Sequence, residues 1–392
     1  MRIGISAVHL VYGERDGVET QLVQLVRHVG LQAGDDEIVL LAGSEAAAMP
    51  VPDNVEVVEC PVRAANLIAR VLYEHRLLAG VCVEQGLDVA LFPGAVMPLN
   101  LTIPGVVLIN DMQPWVYPQN FALHKRMYLY YAVPRSAEKA AALVTISEHS
   151  RQDLVRLLKV DEAKVQVMPP AGPEYGRVED QTVIASAREK YGLPPHYIMC
   201  LASSYPHKNL CGLVEAYAQF VGKDARDPGM RHKPASAPFM PEIGLALLGM
   251  YRQDHQRIQR TVKALGLGKR VYQPGRIDGE DLAALYSGAR AFVFPSRFEG
   301  FGMPVLEAMA CGTPVASSRA TALAEVCGDA AVLFDPDDVG EMRAALEAVV
   351  FDEALRQKKV AAGYRRAGDF SWQETGKRLL RVLREAGSEP GI

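Results

Sequence analysis

Short, unbroken apolar runs alternate with longer segments of helical periodicity along most of this chain. The runs are rich in Val, Ile and Leu. Strands of this composition are buried on both faces, as in a parallel sheet whose strands are connected by helices. The pattern therefore predicts an α/β protein built on parallel sheets.

The apolar runs form two groups, separated by a polar segment from Pro173 to about Pro195 that is rich in Gly, Pro and charge. The first group is Ile3 to Val8, Ile38 to Ala42, Val55 to Val58, Val89 to Phe92, Val106 to Ile109, Leu143 to Ile146 and Val165 to Met168. The second group is Tyr197 to Ala202, Leu245 to Leu248, Arg270 to Gln273, Ala291 to Phe294, Pro314 to Ser317 and Val332 to Phe334. Each group predicts one doubly wound domain. A chain of 392 residues is also too long for a typical single core.

Composition restricts the function classes. Hydrophobic residues make up 49% and charged residues 22% of the chain, as in globular proteins, and the net charge of -4 argues against a general nucleic-acid binder. The six cysteines show no CxxC or Cys/His spacing, so we expect reduced, buried thiols and neither disulfides nor metal ligands. The residues after Met1 resemble a strand and not a signal peptide, and no apolar stretch reaches the ~18 residues of a membrane span. These features predict a cytoplasmic protein.

The stretch SRFEGFGMPVLEAMACGTPV has the most informative pattern in the chain. It follows an apolar run of strand length, turns through Gly300 and Gly302, and continues as a helix whose first turn can stabilise a phosphate. Glu299 and Glu307 place two carboxylate acceptors around that helix start. Together they indicate a ligand with hydroxyl groups and a phosphate, such as a nucleotide sugar. The alternative is a simple glycine turn with solvated glutamates.

Glu299, Gly300, Phe301, Gly302 and Glu307 resemble the signature of two glutamates separated by seven residues in retaining glycosyltransferases of the GT-B fold, especially glycosyltransferase family 4. The AMACGTPV that follows is similar to the next helix and strand of that family. The resemblance implies two doubly wound, Rossmann-like domains that face an interdomain cleft. It also implies a nucleotide-diphosphate sugar as the donor and no essential metal or cofactor.

The resemblance assigns a role to each part of the chain. We expect an acceptor-binding domain at 1–175 and a donor-binding domain at 176–370. The amphipathic segment at 371–392 is expected to form a helix that packs back on the first domain.

The segment SSYPHKN resembles the family's Lys-Asn segment after the first strand of the donor domain. Cleavage of the glycosidic bond develops negative charge on the diphosphate, so a cation is needed there, and we assign this role to Lys208. Many relatives have an arginine where this chain has Ser203. Either Lys208 acts with the helix end alone, or Arg276 or Arg297 supplies the second charge. The alternative for Lys208 is a solvated surface lysine.

The remaining donor-side roles follow from the same resemblance. Glu299 and the backbone amides of Phe301 and Gly302 are expected to hold the sugar, and Glu307 the ribose hydroxyls. The catalytic candidates are Glu299, Lys208 and Asp111. The donor-binding candidates are Glu307, Gly300, Phe301, Gly302, Met303, Ser203, Arg276, Gly275 and Gly17, with Gly275 to Ile277 beside the nucleobase.

A loop in the first domain resembles the glycine loop of family 4, which is usually a double glycine. Here Gly13 and Gly17 flank it, and Asp16 replaces the first glycine of the pair. We place Gly13 on the acceptor side. The loop is not G-x-G-x-x-G, so an NAD-dependent dehydrogenase is disfavoured.

The segment INDMQP resembles the family's His-Asp-Leu segment, which faces the transferred sugar and the acceptor. Asn110 stands where the histidine usually lies, and Asp111 is retained. Asn110 can therefore position a hydroxyl group on the acceptor side but cannot act as a base. The alternative is an Asx-type turn that leads into Pro114.

Residues 121–135 combine basic side chains with tyrosines. A basic, aromatic helix favours contact with a membrane surface or a lipid-diphosphate acceptor, whereas the alternative is an amphipathic packing helix.

Three further segments have structural interpretations. Ser147 suits a helix N-cap. The run from Asp335 to Asp338 is better explained by helix capping than by a metal site. The proline-rich stretch from Lys223 to Pro241 predicts a mobile loop.

The sequence thus predicts a retaining glycosyltransferase that moves a hexose, with mannose from GDP-mannose favoured, to a glycan or lipid-linked saccharide in surface polysaccharide synthesis. UDP-glucose or another hexosyl donor is the alternative within that class. A non-catalytic nucleotide-sugar or glycan-binding protein is the alternative from another class. The expected location is the cytoplasm, with peripheral contact at the inner membrane face through residues 121–135.

Overall fold

The computed structural model describes residues 1–13, 17–222 and 243–388. Asp16 and the loop predicted from Lys223 to Pro241 lie outside these ranges. The chain divides into two compact units. The first is Met1–Pro170 together with Ser371–Ile392, and the second is Ala171–Phe370.

The first unit is built on a sheet of seven parallel strands in the order β3-β2-β1-β4-β5-β6-β7. The strands are β1 (Arg2–Ala7), β2 (Glu37–Gly43), β3 (Val55–Cys60), β4 (Val89–Phe92), β5 (Gly105–Leu108), β6 (Ala142–Thr145) and β7 (Val165–Val167). The centres of β1, β2, β4, β5 and β6 are buried, as their apolar runs require, whereas the edge strands β3 and β7 are partly exposed. Each of these strands lies where the sequence predicts it, with ends that differ by at most about two residues.

Helices cover both faces of this sheet. They are α1 (Gly17–Leu31), α2 (Leu67–Arg76), α3 (Leu78–Glu84), α4 (Gln113–Val116), α5 (Leu123–Lys139) and α6 (Glu148–Leu158), with single 3-10 turns at Pro118–Asn120 and Glu162–Lys164. Ser147 caps α6, since its Oγ accepts a hydrogen bond from the Ser150 amide at 3.0 Å. The predicted N-cap is therefore confirmed.

The second unit repeats the plan with six parallel strands in the order β10-β9-β8-β11-β12-β13. These are β8 (Tyr197–Leu201), β9 (Gly244–Leu248), β10 (Val271–Gly275), β11 (Ala291–Phe294), β12 (Val315–Ser318) and β13 (Ala331–Phe334). All six agree with the sequence prediction to within about two residues.

The helices of the second unit follow its strands in the usual crossover positions. They are α7 (Gln181–Lys190), α8 (Leu210–Phe220), α9 (His255–Ala264), α10 (Gly279–Gly288), α11 (Met303–Ala310), α12 (Ala322–Cys327), α13 (Val339–Phe351) and α14 (Glu353–Gly368), with a 3-10 turn at Pro206–Lys208. A core of buried side chains from α8, α13 and the sheet closes one face.

The last helix, α15 (Trp372–Ser388), belongs to the first unit although it follows the second in sequence. It packs against α1 at a point of close approach. A Cβ on Gly376 would lie 2.8 Å from the Cβ of His28, so only glycine fits there. Thr375 donates a hydrogen bond to the carbonyl oxygen of Pro169 at 2.7 Å, which ties the helix to the end of the first unit's sheet.

Both sheets reverse their strand order next to the first strand. In the first unit β1 pairs with both β2 and β4, and in the second β8 pairs with both β9 and β11. Ligands of such sheets bind beyond the carboxyl ends of the strands at these reversals. The prediction of two doubly wound, Rossmann-like α/β domains is confirmed.

All six cysteines are buried and unpaired, as predicted. Among the helices in the described ranges, none combines the length and the apolar composition that a bilayer crossing requires.

Candidate active site

Lys208 and Glu299 form a close ion pair in the second unit. The Nζ of Lys208 lies 2.6 Å from Oε1 of Glu299, and the side chains are only 19% and 12% exposed. Lys208 follows β8 and Glu299 follows β11, and these two strands are neighbours in the sheet. The sheet topology therefore brings together residues that are about 90 positions apart in sequence, at the edge where ligands bind.

Two backbone features hold Lys208 at this edge. The Arg297 amide donates to the carbonyl oxygen of His207 at 2.7 Å, which joins the loop after β11 to the turn that carries Lys208. Asn209 ends that turn in the left-handed conformation, with φ at 55°, which asparagine tolerates better than most residues. Its buried Nδ2 donates to the carbonyl oxygen of Pro336 at 2.7 Å, so the turn is anchored on both sides.

Thr321 holds the backbone of Glu299. Its Oγ1 accepts a hydrogen bond from the Glu299 amide at 3.0 Å and donates one to the Glu299 carbonyl oxygen at 3.0 Å. Thr321 itself has φ at 54°, a conformation that is unfavourable for a β-branched residue. Strain of this kind persists where surrounding structure enforces it and is concentrated at functional sites.

Glu307 lies on α11 and is bound by a buried tyrosine. The Tyr286 hydroxyl on α10 donates to Oε2 of Glu307 at 2.8 Å. Burial raises the pKa of the Glu307 carboxyl above its ordinary value, and the hydrogen bond from Tyr286 opposes that shift. Tyr286 thus orients the Glu307 carboxylate through one of its two oxygens.

The loop from Gly300 to Met303 leads into α11 through a sharp turn. Gly302 has φ at 116°, and a Cβ there would lie 2.6 Å from a side-chain carbon of Leu323, so glycine is required. The Phe301 side chain is buried and packs edge-on against Phe370, with ring centres 5.4 Å apart. The Phe301 side chain is therefore a packing element, and a ligand role would fall to its backbone amide.

The other donor-side candidates differ in their surroundings. Ser203 follows β8, beside Gly249, whose backbone approaches that of Ala202 too closely for a Cβ. Gly275 ends β10 with φ at 84°, and Arg276 after it is exposed. The Arg297 guanidinium is paired with Asp337 at 2.6 Å.

The acidic run after β13 caps a helix, as predicted. The Asp338 carboxylate accepts from the Glu341 amide at 2.9 Å at the start of α13.

A second cluster of acidic residues consists of Asp278, Glu280 and Asp281, whose carboxylate oxygens lie within 4.8 Å of one another. Lys190 forms ion pairs with Asp278 and Asp281 at 2.9 and 2.7 Å, so a lysine already neutralises much of that charge.

In the first unit, the side chains of the predicted segment after β5 take different partners. Asn110 donates through Nδ2 to Gln21 on α1 at 2.8 Å. Oδ1 of Asp111 accepts from the Gln113 amide at 2.8 Å, which is the Asx-type turn that the sequence offered as an alternative.

The glycine loop of the first unit is held by an acidic side chain. The Gly13 amide donates to the Glu19 carboxylate at 3.0 Å, and Gly13 has φ at 101°. Gly17 is the first residue of α1. Among the candidates, Lys208 and Glu299 are joined directly by an ion pair.

Sequence reasoning missed Tyr286, Thr321 and His9. Tyr286 sits in the segment LAALYSGA, where an isolated tyrosine on an apolar helix is typical of core packing. Thr321 has no distinctive neighbours in sequence. His9 lies two residues after β1, and its place beyond the carboxyl end of that strand was the available signal.

Two Rossmann-like units in one chain are the architecture of the GT-B fold. Solved structures of that architecture match almost the whole chain. Sucrose-phosphate synthase from Thermosynechococcus elongatus superposes with a TM-score of 0.76 at 20% identity and covers 98% of both chains. Anabaena HepE, in complex with UDP and glucose, gives a TM-score of 0.72 at 17% identity and covers 98% of this chain and 100% of its own.

Sequence comparison gives the family. Residues 184–366 match the family described as glycosyl transferases group 1. The chain is 29% identical over 280 residues to O-antigen chain mannosyltransferase B of Escherichia coli, a match that spans 71% of this chain and 70% of that protein. The chain therefore has the GT-B fold, its residues 184–366 match the group 1 glycosyl transferases, and it is similar to mannosyltransferases, as the glutamate signature indicated.

Because Glu307 is buried, we predict that Glu307→Gln, which removes its charge, stabilises the protein by an amount that increases with pH. Because the folded-state pKa lies above the unfolded value of about 4.5, the free energy of unfolding falls as the pH rises from 4.5 through the folded-state pKa. In Glu307→Gln this loss is absent. We expect equal melting temperatures near pH 4 and a higher one for the variant at pH 8, measured by differential scanning fluorimetry.

Glu189→Gln is the matched control, because Glu189 is 76% exposed in the same unit. That variant should follow the wild-type pH dependence throughout. A melting temperature that changes with pH in the same way in wild type and Glu307→Gln would contradict the raised pKa of Glu307.

Proposed function

We propose that the protein is a retaining glycosyltransferase of family 4 that transfers a hexose from a nucleotide-diphosphate sugar. The observation that carries this proposal is the 2.6 Å pair of Lys208 and Glu299 at the adjacent ends of β8 and β11. A mostly buried lysine held at the ligand-binding edge of the sheet is a cation in position for a diphosphate. A solvated surface lysine, the alternative from sequence, would be far more exposed.

Each side chain has one role in this proposal. Glu307, oriented by Tyr286, accepts hydrogen bonds from the ribose hydroxyls. Glu299 and the backbone amides of Phe301 and Gly302 hold the hexose. Lys208, together with the amino-terminal end of α11, stabilises the departing diphosphate. We propose that these groups supply the positive charge without a metal ion.

The proposed chemical step keeps the configuration of the sugar. The bond between the anomeric carbon and the β-phosphate oxygen breaks, and the acceptor hydroxyl oxygen forms a new bond to that carbon on the same face. The proton of the acceptor hydroxyl passes to the departing phosphate oxygen. The leaving group gains negative charge as the bond breaks, which is the stage at which Lys208 contributes most.

The similarity to O-antigen chain mannosyltransferase B supports mannose, from GDP-mannose, as the transferred sugar. It also supports a glycan or lipid-linked saccharide of a surface polysaccharide as the acceptor. The alternative donor is UDP-glucose or another hexosyl nucleotide, and the structural likeness to HepE, a protein solved with UDP and glucose, supports it less because the shared identity is 17%.

Lys208→Met is predicted to lower turnover by about two to three orders of magnitude, because it removes the charge that stabilises the leaving diphosphate. The measurement is release of GDP from GDP-mannose, and of UDP from UDP-glucose, with and without a saccharide acceptor. Lys263→Met on the exposed face of α9 is the matched control and should retain wild-type turnover.

Turnover by Lys208→Met within a few-fold of wild type would remove this role for the lysine. Wild-type protein that binds the donor and releases no nucleotide under any condition would instead identify a non-catalytic nucleotide-sugar binder.

The nucleotide is predicted to be a guanosine diphosphate. A ligand that binds only the folded state raises the melting temperature, by an amount equivalent to ~2.7 kcal/mol at 100 times its dissociation constant. We expect GDP to raise the melting temperature more than UDP or ADP at equal concentration. Glu307→Gln should reduce the GDP shift, because an amide replaces the acceptor for the ribose. A larger shift with UDP would favour the alternative donor, and an undiminished shift in the variant would reject the role of Glu307.

We also propose that α5 contacts a membrane surface. Its residues Leu123, Met127, Tyr130 and Tyr131 are exposed large side chains at the spacing of one helix face. The basic residues of 121–135 accompany them, and that segment has no acidic residue. An apolar face with basic residues beside it fits the interface of an anionic bilayer.

Met127→Asp is predicted to weaken co-sedimentation with vesicles of phosphatidylcholine and phosphatidylglycerol, because it places a negative charge on the apolar face. Leu31→Asp on α1 is the matched control, since Leu31 is 62% exposed and Met127 63%. Binding that is equal for both variants, or that does not depend on phosphatidylglycerol, would show that α5 is only a packing helix.

A further inference from the structure

Three neighbouring strands of the first unit end beside one another and carry polar groups that the proposed mechanism does not use. β1 pairs with β4, and β4 pairs with β5, all in parallel. His9, Gly94 and Asn110 each lie two residues beyond the end of one of these strands. Because carboxyl ends of parallel strands meet at one edge, these residues lie at the same edge of the sheet, where a reversal of strand order forms the ligand crevice of such folds.

The local backbone fixes the imidazole of His9 in this crevice. A turn after β1 is closed by the Leu10 amide, which donates to the Ala7 carbonyl oxygen at 3.0 Å. The ring lies against Gly94, where a Cβ would be 3.3 Å from Cγ of His9. Ala95, with φ at 65°, donates through its amide to the carbonyl oxygen of Leu108 at 3.2 Å, which ties the loop after β4 to the end of β5.

Two side-chain atoms at this edge are buried without a hydrogen-bond partner in the described part of the chain. They are Nε2 of His9 and Oδ1 of Asn110. The amide nitrogen of Asn110 is held by Gln21 at 2.8 Å, which fixes the orientation of the side chain and leaves its oxygen unsatisfied. Buried polar atoms in folded proteins almost always have a partner, so two exceptions at the ligand-binding edge indicate a ligand that supplies the missing hydrogen bonds.

The chemistry of the two atoms selects a hydroxyl group. Burial and the nearby Arg70 guanidinium lower the pKa of His9 to about 4, so the imidazole is neutral near pH 7 and offers one ring nitrogen as donor or acceptor according to its tautomer. The oxygen of Asn110 only accepts. An anionic group would be repelled by that oxygen, whereas a hydroxyl can donate to it and can bond to the imidazole in either direction.

We propose that His9 and Asn110 bind hydroxyl groups of the acceptor saccharide through Nε2 and Oδ1. This inference rests on the proposed glycosyltransferase function and adds His9 as a binding residue of the first unit. The pair selects acceptors by their hydroxyl pattern, and it takes no part in binding the donor.

The test compares His9→Leu, which removes the ring nitrogens, with His9→Gln, which keeps a polar end that can donate and accept. With GDP-mannose as donor and methyl α-mannoside as soluble acceptor, we expect His9→Leu to raise the KM for the acceptor about tenfold, the effect of one lost hydrogen bond. The KM for GDP-mannose and the rate of donor hydrolysis without acceptor should stay within about twofold of wild type. His9→Gln should restore most of the acceptor affinity.

The melting temperature separates binding from a structural role. Replacing an unsatisfied buried nitrogen by an apolar side chain should leave the melting temperature of His9→Leu unchanged or raise it, whereas a histidine needed for the fold would lower it. An unchanged acceptor KM in His9→Leu overturns the proposal. A parallel loss of donor hydrolysis also overturns it, because His9 would then act on the transferred sugar or on the fold.

Ligand-observed NMR provides a readout that needs no catalysis. Saturation transfer from the protein to methyl α-mannoside is expected for wild type and His9→Gln and is expected to be lost in His9→Leu. An equal signal from all three proteins rejects the saccharide site. If wild type binds methyl α-mannoside but hydrolyses neither GDP-mannose nor UDP-glucose, the proposed enzymatic function fails while the saccharide site remains.

Discussion

The contact between Lys208 and Glu299 depends on the strand order of the second sheet. Their loops follow β8 and β11, which are separated by two strands in sequence and are neighbours in space. A sheet in which strands followed one another in sequence order would separate these loops by the width of β9 and β10. The reversal of strand order therefore creates both the crevice and the pair of opposite charges within it.

Several features around this pair lower the stability of the folded protein. Thr321 adopts a left-handed φ so that its hydroxyl can bind both backbone groups of Glu299. Glu307 is a carboxyl whose ionised form is penalised by burial. Costs of this kind are tolerated where they position groups for a ligand, and substitutions that relieve them commonly stabilise a protein while reducing its activity. Their presence at one edge of one sheet agrees with a functional site.

The sequence predicted the strands well because most of them are apolar runs, and burial on both faces leaves little freedom in where such a run begins and ends. It also predicted Lys208, Glu299 and Glu307 as members of one site. The structure joins Lys208 to Glu299 by an ion pair, and the site with Glu307 stays a prediction. Tyr286 and Thr321 escaped because their roles come from contacts with residues about twenty positions away. A buried tyrosine or an exposed-looking threonine has the same local pattern whether or not it binds a glutamate.

The two units differ in whether the polar groups at their strand ends have partners within the protein. In the second unit the groups are satisfied before any ligand arrives, since Lys208 is paired with Glu299 and Glu307 accepts from Tyr286. In the proposed function, a diphosphate at Lys208 competes with an existing carboxylate, so part of its attraction offsets a weakened ion pair. In the first unit, Nε2 of His9 and Oδ1 of Asn110 are buried without partners in the part of the chain that the structure describes. A hydroxyl that reaches them replaces no protein contact, and its hydrogen bonds remove a desolvation cost that the free protein already carries. In the proposed saccharide site, selection depends on whether a saccharide presents hydroxyls at those two atoms, because a saccharide that lacks them leaves the cost in place.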